Sequence, residues 1–279
     1  MGFAACGQSA TSNVQQSERP PEEAEAPAEA RSEVPSETPE VAEQAEPEAA
    51  PEADPGPQPG DPIANDDWAA VLAAFGTDGG FRYAALAADA EAKARLDAYV
   101  AAIATAQPAE WSRDEQLAFY INAYNALTIS SVVANWPMDS VMNVEGFFDA
   151  AEHQVAGESI TLNTLENARI RETFHEGRIH FAVNCASVGC PPLRGTPFEA
   201  ATLDAALEEQ TVAAVRATST VRGRRVTVSK LFEWFADDFT PDVREFIASR
   251  LEEADATAVR NTRNRLRFAD YDWAVNAVE

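Results

Sequence analysis

The chain has three cysteines and three histidines in 279 residues, too few for a disulfide-stapled scaffold or an array of zinc fingers. Bases are scarce: 21 Lys and Arg stand against 46 Asp and Glu, a formal net charge of −25. A surface of that sign repels nucleic acid and anionic membrane, so no nucleic-acid partner is expected. No run of about 18 apolar residues occurs, so a transmembrane helix is not expected. Residues 7–66 lack aromatics altogether, yet hold 15 acids, two arginines and 11 of the 17 prolines. Such a stretch has too little apolar mass to offset the entropy of ordering, and charge repulsion with proline keeps it extended.

What is present divides accordingly. Residues 7–66 read as a disordered acidic linker, and residues 67–279, with every Trp and Tyr, as one globular body large enough for a substantial core. Ahead of the linker, Ala4-Ala5-Cys6-Gly7 resembles the end of a bacterial lipoprotein signal. That makes residues 1–6 the remnant of a signal and Cys6 the candidate lipidation site. The expected location is the bacterial cell envelope, with the membrane contacted through a lipid anchor only and the linker acting as a spacer.

In the body, Trp68–Phe75 reads as a short helix that Gly76 ends, and Tyr83–Ala106 as one long helix with Leu86, Leu96, Tyr99, Val100 and Ile103 on its apolar face. Ser112 and Glu115 form a capping-box pattern. The helix it opens, Arg113–Asn135, is apolar on nearly every side and therefore central. A strand pair is expected at His153–Val155 and Ser159–Thr161, a helix over Leu165–Phe174 started by Asn163, and a strand over Arg178–Asn184. Beyond these come a helix over 203–217, a strand Arg225–Val228, a helix Leu231–Phe235 capped by Ser229 and a helix from Pro241. The fold class is α+β: a helix-rich mixed domain with a small sheet around a central apolar helix, preceded by the disordered tail.

Four stretches together resemble the domain-of-unknown-function 547 family: Glu115 to Thr128; Val155-Ala-Gly157 through Leu165-Glu166; His180-Phe-Ala-Val-Asn-Cys185-Ala-Ser187-Val-Gly-Cys190-Pro191; and Tyr271-Asp272-Trp273-Ala-Val-Asn276. Family members often carry His directly after the helix Glu, where this chain has Asn167. The family carries no established reaction, and its plant members, in which the domain is attached to coiled coils, imply a binding role.

Cys185 and Cys190 sit where a strand is expected to give way to a loop. A cysteine attacks as thiolate and needs a base or cation nearby. His180 is the first candidate base, His153 the second, and Glu166 the candidate orienting carboxylate, a Cys-His-carboxylate constellation as in thiol hydrolases and acyl transferases. On a straight strand His180 and Cys185 face opposite sides about 16–17 Å apart, so they meet only if the backbone turns near Asn184. Backbone N–H groups of the Ala186–Gly189 turn are candidate oxyanion donors. Competing readings are a local Cys185–Cys190 disulfide, cysteines buried in the core, or a metal site, for which no fourth ligand is evident. Glu166 also fits the third position of a capping box from Asn163.

Asn122 and Asn125 share a face of the apolar helix. They read as the polar binding wall of a pocket or as amides tying down crossing loops. The aromatics Phe232, Trp234, Phe235, Tyr271 and Trp273 are expected in the core, and His175 in solvent. The function expected is a cysteine-dependent hydrolase or transferase outside the cytoplasm, acting on a peptide, amide or thiol-containing small molecule without cofactor or metal. The alternative is a non-catalytic binding or scaffolding module with structural cysteines.

Overall fold

The computed structural model describes residues 60–279; the expected linker up to residue 59 and the expected lipidation site Cys6 lie outside the described residues. Packing begins ahead of the 66/67 boundary that composition suggests. The indole of Trp111 donates to the carbonyl of Gly60 at 2.6 Å, and the Tyr99 hydroxyl donates to the Asn65 side chain at 2.7 Å.

Helix α1 (Asp66–Phe75) buries Trp68, Val71, Leu72 and Phe75 and ends at Gly76. A minimal hairpin, β1 (Gly76–Thr77) and β2 (Gly80–Phe81), leads to α2 (Tyr83–Ala88) and α3 (Ala90–Thr105). The single helix expected over 83–106 is thus two. The break is at Asp89, whose carboxylate accepts from the amides of Glu91 and Ala92; an Asp side chain competes for free amides better as a cap than inside a helix. Helix α4 (Arg113–Ala134) opens on the Ser112/Glu115 capping box and is buried on all sides, from Leu117 to Val132. By length and composition alone this helix would pass for a membrane span, more apolar than the search for an unbroken run indicated. In this fold it is the core helix that α2 and α3 pack against.

Strands β3 (Glu152–Val155) and β4 (Glu158–Thr161) form the expected hairpin. Its turn residues Ala156 and Gly157 both have positive φ, as a tight hairpin requires, and their amides cap the end of α3 at Ile103 and Ala104. The next helical stretch is capped by Thr161, not Asn163; the Thr161 hydroxyl accepts from Thr164 N at 3.1 Å. That stretch runs through α5 (Leu162–Thr164), a π-helical turn (Leu165–Arg171) and α6 (Glu172–Phe174). Arg178–Asn184 is not a strand. Residues Gly177–Phe181 form a 3₁₀ turn capped by the Glu176 side chain. Residues 179–183, apolar except for His180, are all buried, and a short, largely apolar run fits a buried turn as well as a strand.

The remainder comprises α7 (Leu203–Thr218), β5 (Thr220–Arg222), β6 (Arg225–Val228), α8 (Leu231–Trp234), α9 (Val243–Ala248), α10 (Glu253–Arg260) and β7 (Arg265–Phe268). Strand β6 pairs antiparallel with β5 and parallel with β7, and Ser229 Oγ accepts from Leu231 N as expected of a cap. The class is helix-rich α+β, with the strands of the described residues in three small separate sheets rather than one. One core surrounds α4; a second is built on Phe181, Phe232, Phe239 and Phe246. The last residues stitch the two together: Val188 N bonds Ala274 O, Gly189 N bonds Asp272 O, Asn276 N bonds Ala186 O and Val278 N bonds Phe81 O.

Candidate functional site

Where the two cores meet, a cavity of about 330 Å³ opens to the surface. Its wall includes Glu166, His180, Cys185 and Cys190, with Tyr124 and Val183 from one core and Leu231, Phe235 and Tyr271 from the other. The three residues expected to form a catalytic set therefore share one space. The turn after the 3₁₀ segment lets His180 and Cys185 face the same cavity, as no straight strand would.

The cysteine loop is positioned by α4. Asn125 donates to Ala182 O at 3.0 Å and accepts from Asn184 N at 2.7 Å. Asn184 in turn donates to Pro191 O and accepts from Ala186 N, closing the loop on itself. Asn122 makes the same pair of bonds with the backbone of Phe198, at 2.9 and 2.8 Å. Both amides thus tie down crossing segments, and neither lines the cysteine cavity; Asn122 borders a different hollow beside Trp111 and Glu199.

Cys185 and Cys190 are joined by a disulfide, with Cα atoms 6.2 Å apart. Both residues are half-buried at the cavity wall. The backbone N–H of Cys185 donates to Cys190 Sγ at 2.9 Å. The hydroxyl of Tyr271 lies 3.0 Å from Cys185 Sγ and 3.2 Å from Cys190 Sγ. The ring of Tyr271 packs on Gly189, where a Cβ would come within 3.0 Å of it. The polar side chain beside the sulfurs is this hydroxyl, not an imidazole. Of the expected oxyanion donors, the N–H groups of Ala186, Val188 and Gly189 already bond Asn184, Ala274 and Asp272.

His180 is buried, stacked on Phe235 with ring centres 4.0 Å apart. The carboxylate bonded to it is Asp238, with Nε2 and Oδ2 2.7 Å apart, rather than the expected Glu166. Arg171 Nε donates to the same oxygen at 2.7 Å, and its guanidinium lies over the Phe235 ring. The hydrogen bonds from His180 and Arg171, with their charges, hold the Asp238 carboxyl far below the usual carboxylate range.

Glu166 sits on the π-helical turn, a distortion that recurs at functional sites. With Thr161 as the cap, Glu166 has no capping duty. It borders the cavity, and burial pushes its carboxyl up, against the opposing pull of His180, the Tyr124 hydroxyl it bonds and Arg171. Burial likewise raises the Tyr124 and Tyr271 hydroxyls, which therefore stay protonated. The cavity combines an enclosed acid whose carboxyl burial raises, an imidazole fixed by a carboxylate, and a pair of sulfurs.

His153, the second candidate base, lies on β3 away from this cavity; its Nε2 is buried without a partner and burial lowers its pKa. His175 ends α6 in an exposed left-handed conformation. Among the described residues, no three His, Cys, Asp or Glu side chains converge as they would around a metal ion. The aromatics expected in the core divide. Phe232 is fully buried, whereas Trp234, Phe235, Tyr271 and Trp273 wall the cavity, with Trp234 44% exposed at its rim.

Residues 108–213 match the family model described as "Protein of unknown function, DUF547". This segment is similar to the DUF547 family. It contains α4, the π-helical turn, His180 and both cavity cysteines. Asp238, Trp234, Tyr271 and Trp273 lie beyond the matched segment, so the cavity is completed from outside it. No curated protein and no solved structure matches the chain. Sequence reasoning missed Asp238, which is distant along the chain and carries no motif. It had a signal for Tyr271 and Trp273, which fall in the fourth family-like stretch, but assigned them to the core.

Proposed function

We propose that the cavity is the active site of a cysteine-dependent hydrolase or transferase acting on a peptide, amide or thiol-containing small molecule. One observation carries this reading: Cys185, the enclosed acid Glu166 and the Asp238-held His180 line a single cavity of about 330 Å³, a volume suited to a small ligand. In the dithiol state, the Cys185 thiolate adds to the substrate carbonyl. The leaving group takes a proton from Glu166 in its acid form, which burial favours relative to an exposed carboxyl, and a Cys185 thioester remains. His180 deprotonates the water or acceptor that cleaves the thioester, and Asp238 stabilises the resulting imidazolium.

The protein is assigned to the bacterial cell envelope, anchored through acylated Cys6 with the acidic linker as spacer. An intramolecular disulfide suits an oxidising compartment of that kind. The disulfide also favours a second reading, a binding module with structural cysteines, because it occupies both thiols. The test is to reduce the full chain with a phosphine and offer activated esters and thioesters. A covalent acyl adduct on Cys185, absent from Cys185→Ala and kept in Cys190→Ser, is expected. Absence of any adduct, together with alkylation by iodoacetamide only above about pH 8.5, would leave the binding module.

A further inference from the structure

We propose that the Cys185–Cys190 disulfide is itself reactive toward small apolar thiols. Such a thiol bonds to Cys185, Cys190 departs, and a locked cavity becomes a dithiol one. The inference rests on the reading that Cys185 reacts at this cavity, and adds to it the step that releases the nucleophile.

The two sulfurs are not equivalent. Cys190 Sγ has two donors within reach, the backbone N–H of Cys185 at 2.9 Å and the Tyr271 hydroxyl at 3.2 Å. For Cys185 Sγ the polar neighbour among the described residues is the Tyr271 hydroxyl, at 3.0 Å. That hydroxyl has one proton, which serves one sulfur at a time. When the S–S bond breaks, a thiolate on Cys190 is held by both donors, and one on Cys185 by at most one. Exchange is faster when the departing sulfur is the better-stabilised thiolate. Attack at Cys185 with departure of Cys190 is therefore the favoured direction, and Cys190 acts as the resolving cysteine.

The step balances without a further reagent. The incoming thiolate RS⁻ forms an RS–S bond to Cys185 while the Cys185–Cys190 bond breaks and its electron pair goes to Cys190. A second thiol then attacks the RS sulfur, giving RSSR and the Cys185 thiol. Two RSH become RSSR, and the protein gains two electrons and two protons. The cavity selects the thiol. Trp234, Trp273, Tyr271 and Phe148 form much of its wall, and the chain carries a large negative charge. An uncharged aromatic thiol fits this surface better than an anionic one.

The experiment uses the oxidised full chain without denaturant, with benzyl mercaptan or glutathione at matched thiolate concentration. Free thiols are trapped with iodoacetamide and located by peptide mass. The expected product carries the thiol adduct on Cys185 and the acetamide label on Cys190, and it forms faster with benzyl mercaptan. Tyr271→Phe, with the ring kept and its fold checked by circular dichroism, should slow opening by about tenfold or more, the scale of losing a hydrogen bond to a charged group. An adduct mainly on Cys190, or no opening without denaturant, overturns the proposal whatever Tyr271→Phe does. The two failures are separable. Phosphine-reduced protein that acylates although thiols never opened it sinks this inference and leaves the hydrolase. Opening at Cys185 without subsequent acylation upholds this inference and sinks the hydrolase.

Discussion

Replacing Asn125 by Leu should both destabilise the body and loosen the cysteine loop, whereas the same change at Asn122 should only destabilise it. The two sites are matched for this comparison. Each is a buried amide on α4, and each joins one backbone N–H and one carbonyl of a crossing segment. Leucine fills nearly the same space, so the loss comes from two stranded backbone groups at about 1–3 kcal/mol each, or roughly 2–6 kcal/mol. For a body of this size that corresponds to a melting-temperature drop on the order of 5–20 °C. What separates the sites is what their partners hold. Asn122 fixes Phe198. Asn125 fixes Ala182 and Asn184, and Asn184 bonds both ends of the Cys185–Cys190 loop. Urea unfolding at pH 7 measures the first effect; the rate of disulfide opening by benzyl mercaptan in native buffer measures the second. Both variants should lose stability to a similar degree, and only Asn125→Leu should change the opening rate, by several-fold or more. Equal rate changes in the two variants, or a stability loss below about 1 kcal/mol at Asn125, would refute the assignment of α4 as the loop's anchor.

Other perturbations test the charges and the chain's start. Asp238→Asn should lower the melting temperature at pH 7. Because the folded carboxyl titrates well below its unfolded value of about 3.9, the gap between variant and wild type should shrink as pH falls below about 4. A pH-independent gap would contradict this. Glu166→Gln should reduce any acyl transfer at Cys185 while matching or exceeding wild-type stability. The folded carboxyl titrates above its unfolded value of about 4.3, so ionisation costs wild type stability as pH rises between the two values, and the glutamine has no such cost. A variant less stable than wild type at pH 8 would refute the enclosed-acid assignment. Removing residues 7–59 should leave the melting temperature within the scale of surface changes, about 0.5 kcal/mol. Extending the cut to 66 should lower it measurably, since the Gly60 and Asn65 bonds to Trp111 and Tyr99 are then lost; equal melting curves for the two truncations would show that those bonds contribute nothing.

Local chemistry decided much of this molecule on its own. The Ser112/Glu115 box, the all-round apolarity of α4, the tight turn at Ala156-Gly157 and the stop at Gly76 involve groups within a few residues of one another, so a linear reading finds them. Asp89 is of the same kind, and its capping of α3 was legible in principle, though the alanine-rich surroundings masked it. The motif order also carried the DUF547 resemblance and singled out Cys185, His180 and Glu166. Tertiary structure decided the rest. A short run such as 179–183, apolar except for His180, has no period to separate a strand from a buried turn, and the 3₁₀ bonding of Gly177–Phe181 with its Glu176 cap settles it. The carboxylate on His180 comes from Asp238, 58 residues away, and the hydroxyl at the sulfurs from Tyr271, more than 80 residues away. Whether two cysteines five apart bond to each other or stand free depends on how the chain turns between them. That turn is fixed by hydrogen bonds from α4 and from the C-terminal segment, which no local pattern encodes.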